Sequence, residues 1–130
     1  MVEVELCRIV IDEAHKEQII VFKEKSGSRT IPVVIGLNEA AAIRLQLNGF
    51  IPPRPLTHDL MRSLLEVLGA VLEKVVIDNL VDNTFHAKLY LKIGNDGARI
   101  VDARPSDSVA LAVRMKSPIF VEEEVFDKLS

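Results

Sequence analysis

Residues 84–93, TFHAKLYLKI, alternate apolar and polar side chains without a break. Phe85, Ala87, Leu89, Leu91 and Ile93 fall on one side; Thr84, His86, Lys88, Tyr90 and Lys92 fall on the other. A period of two over a run this long is a half-buried strand, with one face on a core and the other toward water. Turn signals flank it: Asp82-Asn83 before and GNDG, 94–97, after. The strand is therefore expected to pair antiparallel with LEKVVIDNLV (72–81) and with GARIVDA (97–103). A sheet with one apolar face needs a covering layer.

The rest of the chain supplies that layer and more sheet. VEVELCRIVID (2–12), QIIVFKE (18–24) and TIPVVI (30–35) read as an antiparallel meander joined by turns at EAHKE and SGSR. Pro32 cannot donate to a ladder, which makes the third strand short or an edge. LNEAAAIRLQLN (37–48) is a helix closed by Gly49, and GFIPPRP (49–55) a rigid connector. Thr57 is the expected N-cap of a second helix, HDLMRSLLEVLGA, with Leu60, Leu64, Leu65 and Leu68 as its buried stripe and Arg62 and Glu66 as an exposed pair. PSDSVALAVRMK (105–116) is a third helix, SPIFVEE a last short strand, and EVFDKLS a terminal helical turn or short helix. The expected fold is α+β: one domain over residues 1–130, a mixed, largely antiparallel sheet, and helices packed on one face.

Net charge is -3, against a general nucleic-acid coat protein but not against an enzyme acting on nucleic acid. Cys7 is the only cysteine; it suits a reducing compartment and reads as a small buried hydrophobe. The acidic, alternating N-terminus does not read as a secretory signal, and no apolar run approaches a membrane span of ~20 residues. The expected location is the cytoplasm.

If both turns close tightly, the register follows. Leu80 then pairs with Phe85, Asp78 with Ala87 and Val76 with Leu89; Leu91 pairs with Ile100, Leu89 with Asp102 and Ala87 with Arg104. Directly paired residues share a face. Asp78, Asp102 and Arg104 would thus cluster on the apolar side, with small Ala87 leaving room for the arginine. One reading is a structural ion-pair network at the sheet's end. The other is a catalytic site beside the third helix, where Asp102 and Asp107 hold Mg²⁺ or Mn²⁺ through hard oxygen ligands and Arg104 holds a phosphate.

Two further features fit the second reading. Arg54-Pro55 before Thr57-His58-Asp59 echoes Arg104-Pro105 before Ser106-Asp107. In each, an arginine precedes a helix start, where free N–H groups attract anions. Arg54, Thr57 and Ser106 are candidate substrate-binding residues, although Thr57 and Ser106 serve equally as caps. His58 is a candidate general base, since imidazole titrates near neutrality as a residue type. There is no Cys/His metal spacing, P-loop, GxGxxG or GxSxG. Basic residues are mostly not interleaved with aromatics, so no base-stacking platform is indicated.

IPVVIGLNEAAAI, RPLTHDLMRSLLEVLG, VVIDNLVDNTFHAKLYL and VDARPSDSVALAVRMKSPIFVEEEV together closely resemble the bifunctional nuclease family, over about residues 2 to 126. The most specific pieces are Ile35-Gly36 with Glu39-Ala40, Arg54 to Leu60, Thr84 to Ala87, and Asp102 to Asp107. His86 stands where the family often has tyrosine, and Ser108 where it often has alanine. The resemblance implies a compact, usually oligomeric α+β domain, and plant members are described as cutting both DNA and RNA. It implies a nuclease of low sequence specificity. Arg54, Thr57, His58, Asp59, Asp78, Asp102, Arg104, Ser106 and Asp107 fall on its motif positions, but the resemblance does not assign their roles. Side-chain chemistry and expected placement make His58, Asp78, Asp102, Arg104 and Asp107 the candidate catalytic residues. The alternative is a non-catalytic oligomeric binding or regulatory module. Free backbone on the expected edges makes a homodimer the favoured assembly.

Overall fold

The computed structural model describes residues 1–12 and 14–129. Seven strands form one sheet, ordered β3-β2-β1-β7-β4-β5-β6. β1 (Val2–Asp12), β2 (Glu17–Glu24) and β3 (Thr30–Ile35) make the expected meander, and Pro32 lies in the edge strand β3. β4 (Ala70–Val81), β5 (Thr84–Ile93) and β6 (Ala98–Ala103) form the second antiparallel block. β7 (Ile119–Val121) joins the blocks, antiparallel to β1 and parallel to β4, which makes the sheet mixed. The expected α+β architecture is the one found.

α1 (Leu37–Leu47) and α2 (Thr57–Val67) precede β4, α3 (Pro105–Met115) follows β6, and α4 (Glu123–Leu129) ends the described chain. α3 is the central layer, packed on β4 and β5 and flanked by α1 and α2. Val109, Ala110, Leu111 and Ala112 are all buried, as is Ser108, whose hydroxyl donates to the Arg104 carbonyl at 2.9 Å. The core also takes Ile20, Phe22, Ile31, Val75, Ile77, Ala87 and Val121. Cys7, expected inside, is exposed.

Two further sequence expectations fail. The first is the register. Leu80 does pair with Phe85, but a bulge at Asp78 leaves Ile77 opposite Ala87 and Val75 opposite Leu89. The GNDG turn is one residue longer than assumed, so Tyr90 pairs with Ile100 and Lys88 with Asp102. A shift of one residue moves a side chain to the other face. Asp102 therefore joins Lys88 and Tyr90, not Leu89. The Lys88 ammonium lies 3.3 Å from Asp78 and 3.2 Å from Asp102. The two aspartates do meet, but through a lysine on the polar face, without Arg104.

The second is α2. Its expected buried stripe is largely solvent-facing: Leu60, Leu64 and Leu68 are exposed, as is Val67. Met61 and Leu65 pack on the core instead, and His58 and Asp59 turn inward. The N-cap is Leu56, not Thr57, and the cap is supplied by Asp59, whose carboxylate accepts the Leu56 N–H at 3.0 Å.

Candidate functional site

The first turns of α1, α2 and α3 converge. Asn38 and Glu39 come from α1, Thr57 and His58 from α2, and Asp107 from α3; with Ala42, Leu56 and Arg104 they line a pocket of about 300 Å³. Each helix start presents N–H groups with no intrahelical partner and the positive end of a dipole. Three such ends border this one cavity, together with the Arg104 guanidinium and the carboxylates of Glu39 and Asp107.

One buried side chain holds the helices in this arrangement. Arg114 of α3 donates to Asp59 of α2 at 2.8 Å, to the Ala42 carbonyl of α1 at 3.2 Å and to its own helix's Ala110 carbonyl at 2.9 Å. Its side chain is 1% exposed. Burial alone would push the Asp59 carboxyl up. The Leu56 N–H and the Arg114 guanidinium outweigh that and hold it below its ordinary value. Neither residue was singled out as a pair from the sequence, because 55 positions separate them.

Within the pocket, His58 Nε2 lies 2.9 Å from Asp107 Oδ1. Toward an ionised Asp107, Nε2 is the donor; in the neutral form of the ring Nδ1 is then the nitrogen with a lone pair. Arg104, the N-cap residue of α3, donates from Nε to Asp107 Oδ2 at 2.9 Å and from Nη1 to Glu39 Oε1 at 3.5 Å. Burial would raise the Asp107 carboxyl, but hydrogen bonds from Arg104 and His58 leave it lowered. The Arg104 guanidinium is raised in turn, first by Asp107. Arg104 and Glu39 also line a second pocket of about 430 Å³, together with Ser106, Phe85 and the β4–β5 turn.

The structure thus gathers His58, Asp107, Arg104 and Thr57 around one cavity and puts Ser106 in the adjoining one. Asp78 and Asp102 belong to the Lys88 bridge, and Arg54 is exposed in the connector, lining neither cavity. Glu39 was not picked as a site residue. Its signal is its place in a helix first turn three residues after Gly36, where its carboxylate lies over the glycine. A Cβ on Gly36 would come within 2.6 Å of Glu39 Oε2, so Gly36→Ala would push that carboxylate aside.

Asp102 and Asp107 do not make the expected metal pair. Asp102 is bonded to Lys88 on the sheet's polar face, while both oxygens of Asp107 are bonded to Arg104 and His58. Among the described residues no group of three or more His, Cys, Asp or Glu side chains is placed to hold a metal ion. The residues present do not fit that role.

The lowered carboxyls set a pH dependence. A depressed folded value means the unfolded chain binds more protons. The stabilisation by Asp59 and Asp107 is therefore complete above the ordinary value of 3.8 and is lost as pH falls through their lower folded values. Urea unfolding across this range should show stability falling with acidification, and Asp107→Asn should flatten part of the dependence. An unchanged profile would contradict the ionic reading of the pocket.

Residues 20–130 match the family model described as the bifunctional nuclease domain. An uncharacterized protein of Mycobacterium tuberculosis is 45% identical over 125 residues, which is 96% of this chain and 74% of the relative. Bifunctional nuclease 1 of Oryza sativa subsp. japonica is 28% identical over 116 residues, covering 88% of this chain and 35% of the plant protein. Bifunctional nuclease 1 of Arabidopsis thaliana is 25% identical over 114 residues, again 35% of its own length.

Proposed function

From a chain that belongs to the bifunctional nuclease domain family, we propose hydrolysis of phosphodiester bonds in DNA and RNA, with low sequence specificity, at the pocket where the three helix starts meet. The convergence of α1, α2 and α3 on a guanidinium and an Asp–His pair is the observation that carries this reading. Free N–H groups and Arg104 would hold the non-bridging phosphate oxygens. His58 Nδ1 would take a proton from the attacking water as its oxygen bonds to phosphorus. The P–O bond to the ester oxygen would break, and that oxygen would carry off the bonding pair and take a proton from solvent water. Asp107 would keep the imidazole in the tautomer this requires. Phosphate contacts do not read sequence, which agrees with low specificity. The family names of the plant relatives support a nucleic-acid substrate.

One observation favours the non-catalytic reading: Arg104 is already paired with two carboxylates, Asp107 and Glu39. A phosphate must displace one of them. Nuclease assays on labelled DNA and RNA oligonucleotides, with and without EDTA, separate the two readings. Under the catalytic one, Arg104→Gln should raise KM several-fold in both substrates. Cleavage indifferent to Arg104→Gln would place the activity elsewhere, or in a contaminant. Among the described residues no helix is long and apolar enough to cross a membrane, and we take the cytoplasm as the site of action.

A further inference from the structure

The exposed face of α2 has a regular form. Leu60, Leu64 and Leu68 stand four residues apart, as one ridge along the helix, and they are 53%, 54% and 68% exposed. Val67 on the neighbouring row is 84% exposed. Together they expose on the order of 500 Å² of mostly apolar surface, at the upper end for a monomer and more than half of the ~800 Å² per partner in a standard interface. Arg62 and Glu66 lie two residues away from the ridge positions and so face away from it; they pair with each other at 3.9 Å.

We propose that this ridge is the contact between two copies of the chain, crossing on a two-fold axis at Leu64. An interface with two-fold symmetry uses the same patch on both sides, so the patch must complement itself. A row of leucines evenly spaced about a central one does so: Leu60 of one copy meets Leu68 of the other, and Leu64 meets its counterpart. Rows of this kind interdigitate with helix axes ~50° apart and 8–10 Å between them. The ridge carries no charge of its own, so it offers a phosphate chain nothing to bind. This places the dimer contact on α2 rather than on the sheet edges β3 and β6. It also stands independently of the nuclease reading, because it concerns the face of α2 turned away from His58.

Sedimentation tests it first. The wild-type chain should sediment as a dimer, and Leu64→Arg should weaken dimerisation by about a hundredfold or more, as expected for a charge at the centre of an interface. Because Leu64 is half exposed in the single chain, the variant should keep its far-UV circular dichroism spectrum. Symmetry is tested by oxidation. Leu64→Cys in a Cys7→Ser background should form a covalent dimer, and Glu66→Cys in the same background should not. A monomeric wild type, a dimer indifferent to Leu64→Arg, or a dimer that cannot be locked through Leu64→Cys would each overturn the proposal.

Discussion

His58→Gln should lower kcat/KM for oligonucleotide cleavage by about 10²–10⁴, the usual contribution of a positioned general base. Glutamine keeps much of the volume and a donor toward Asp107, so the melting temperature should move little. Asp107→Asn should give a comparable loss, because an amide can present either its oxygen or its NH2 to Nε2 and so no longer fixes the tautomer. The decisive measurement is the double variant. Residues acting as one unit are strongly non-additive. His58→Gln with Asp107→Asn should cost scarcely more than either change alone. Additive losses would mean that the 2.9 Å contact between them is structural and that the base lies elsewhere.

The largest stability effect should come from Arg114. Arg114→Met removes the buried guanidinium and leaves the Asp59 carboxylate, itself largely buried, without its ionic partner. Breaking one side of a buried ion pair costs about 3–5 kcal/mol. For a chain of this size that corresponds to a fall in melting temperature of roughly 10–15 °C. Asp59→Leu combined with Arg114→Met should recover part of the loss, since no buried charge then remains unpaired. Recovery will be incomplete, because Asp59 also caps the Leu56 N–H and Arg114 satisfies carbonyls of both α1 and α3. The double variant should stay catalytically impaired even where its stability is recovered, as its helix starts are no longer tied together. A single variant that melts like the wild type would remove the clamp from the account.

Much of the scaffold was legible in the linear pattern. The alternation of residues 84–93, the turn residues on either side, Pro32 at an edge and Pro105 in a helix first turn are local signals, and each element they predict is present. The pairing of His58 with Asp107 was not legible, although both were candidates. One opens α2 and the other opens α3, and only helix packing brings them within 2.9 Å. Asp78 and Asp102 illustrate the opposite error. They were correctly expected to meet, but a bulge and a longer turn put them on the other face. No composition rule forecasts a single inserted residue.

α2 shows why burial is harder to read than helicity. The sequence carries apolar residues on two sides of the helix, Met61 with Leu65 and Leu60 with Leu64 and Leu68. Leucine count favoured the second side; the buried Asp59–Arg114 pair and the His58–Asp107 contact turned the first side inward. What the amino-acid order alone determined was the set of strands and helices, because turn chemistry and hydrophobic period act over a few residues. Which face of α2 meets the core, which acids share a partner, and which helix starts surround a cavity were decided only in three dimensions. Those outcomes depend on contacts between residues as many as 72 positions apart, as between Arg114 and Ala42, and on the need to pair every buried charge.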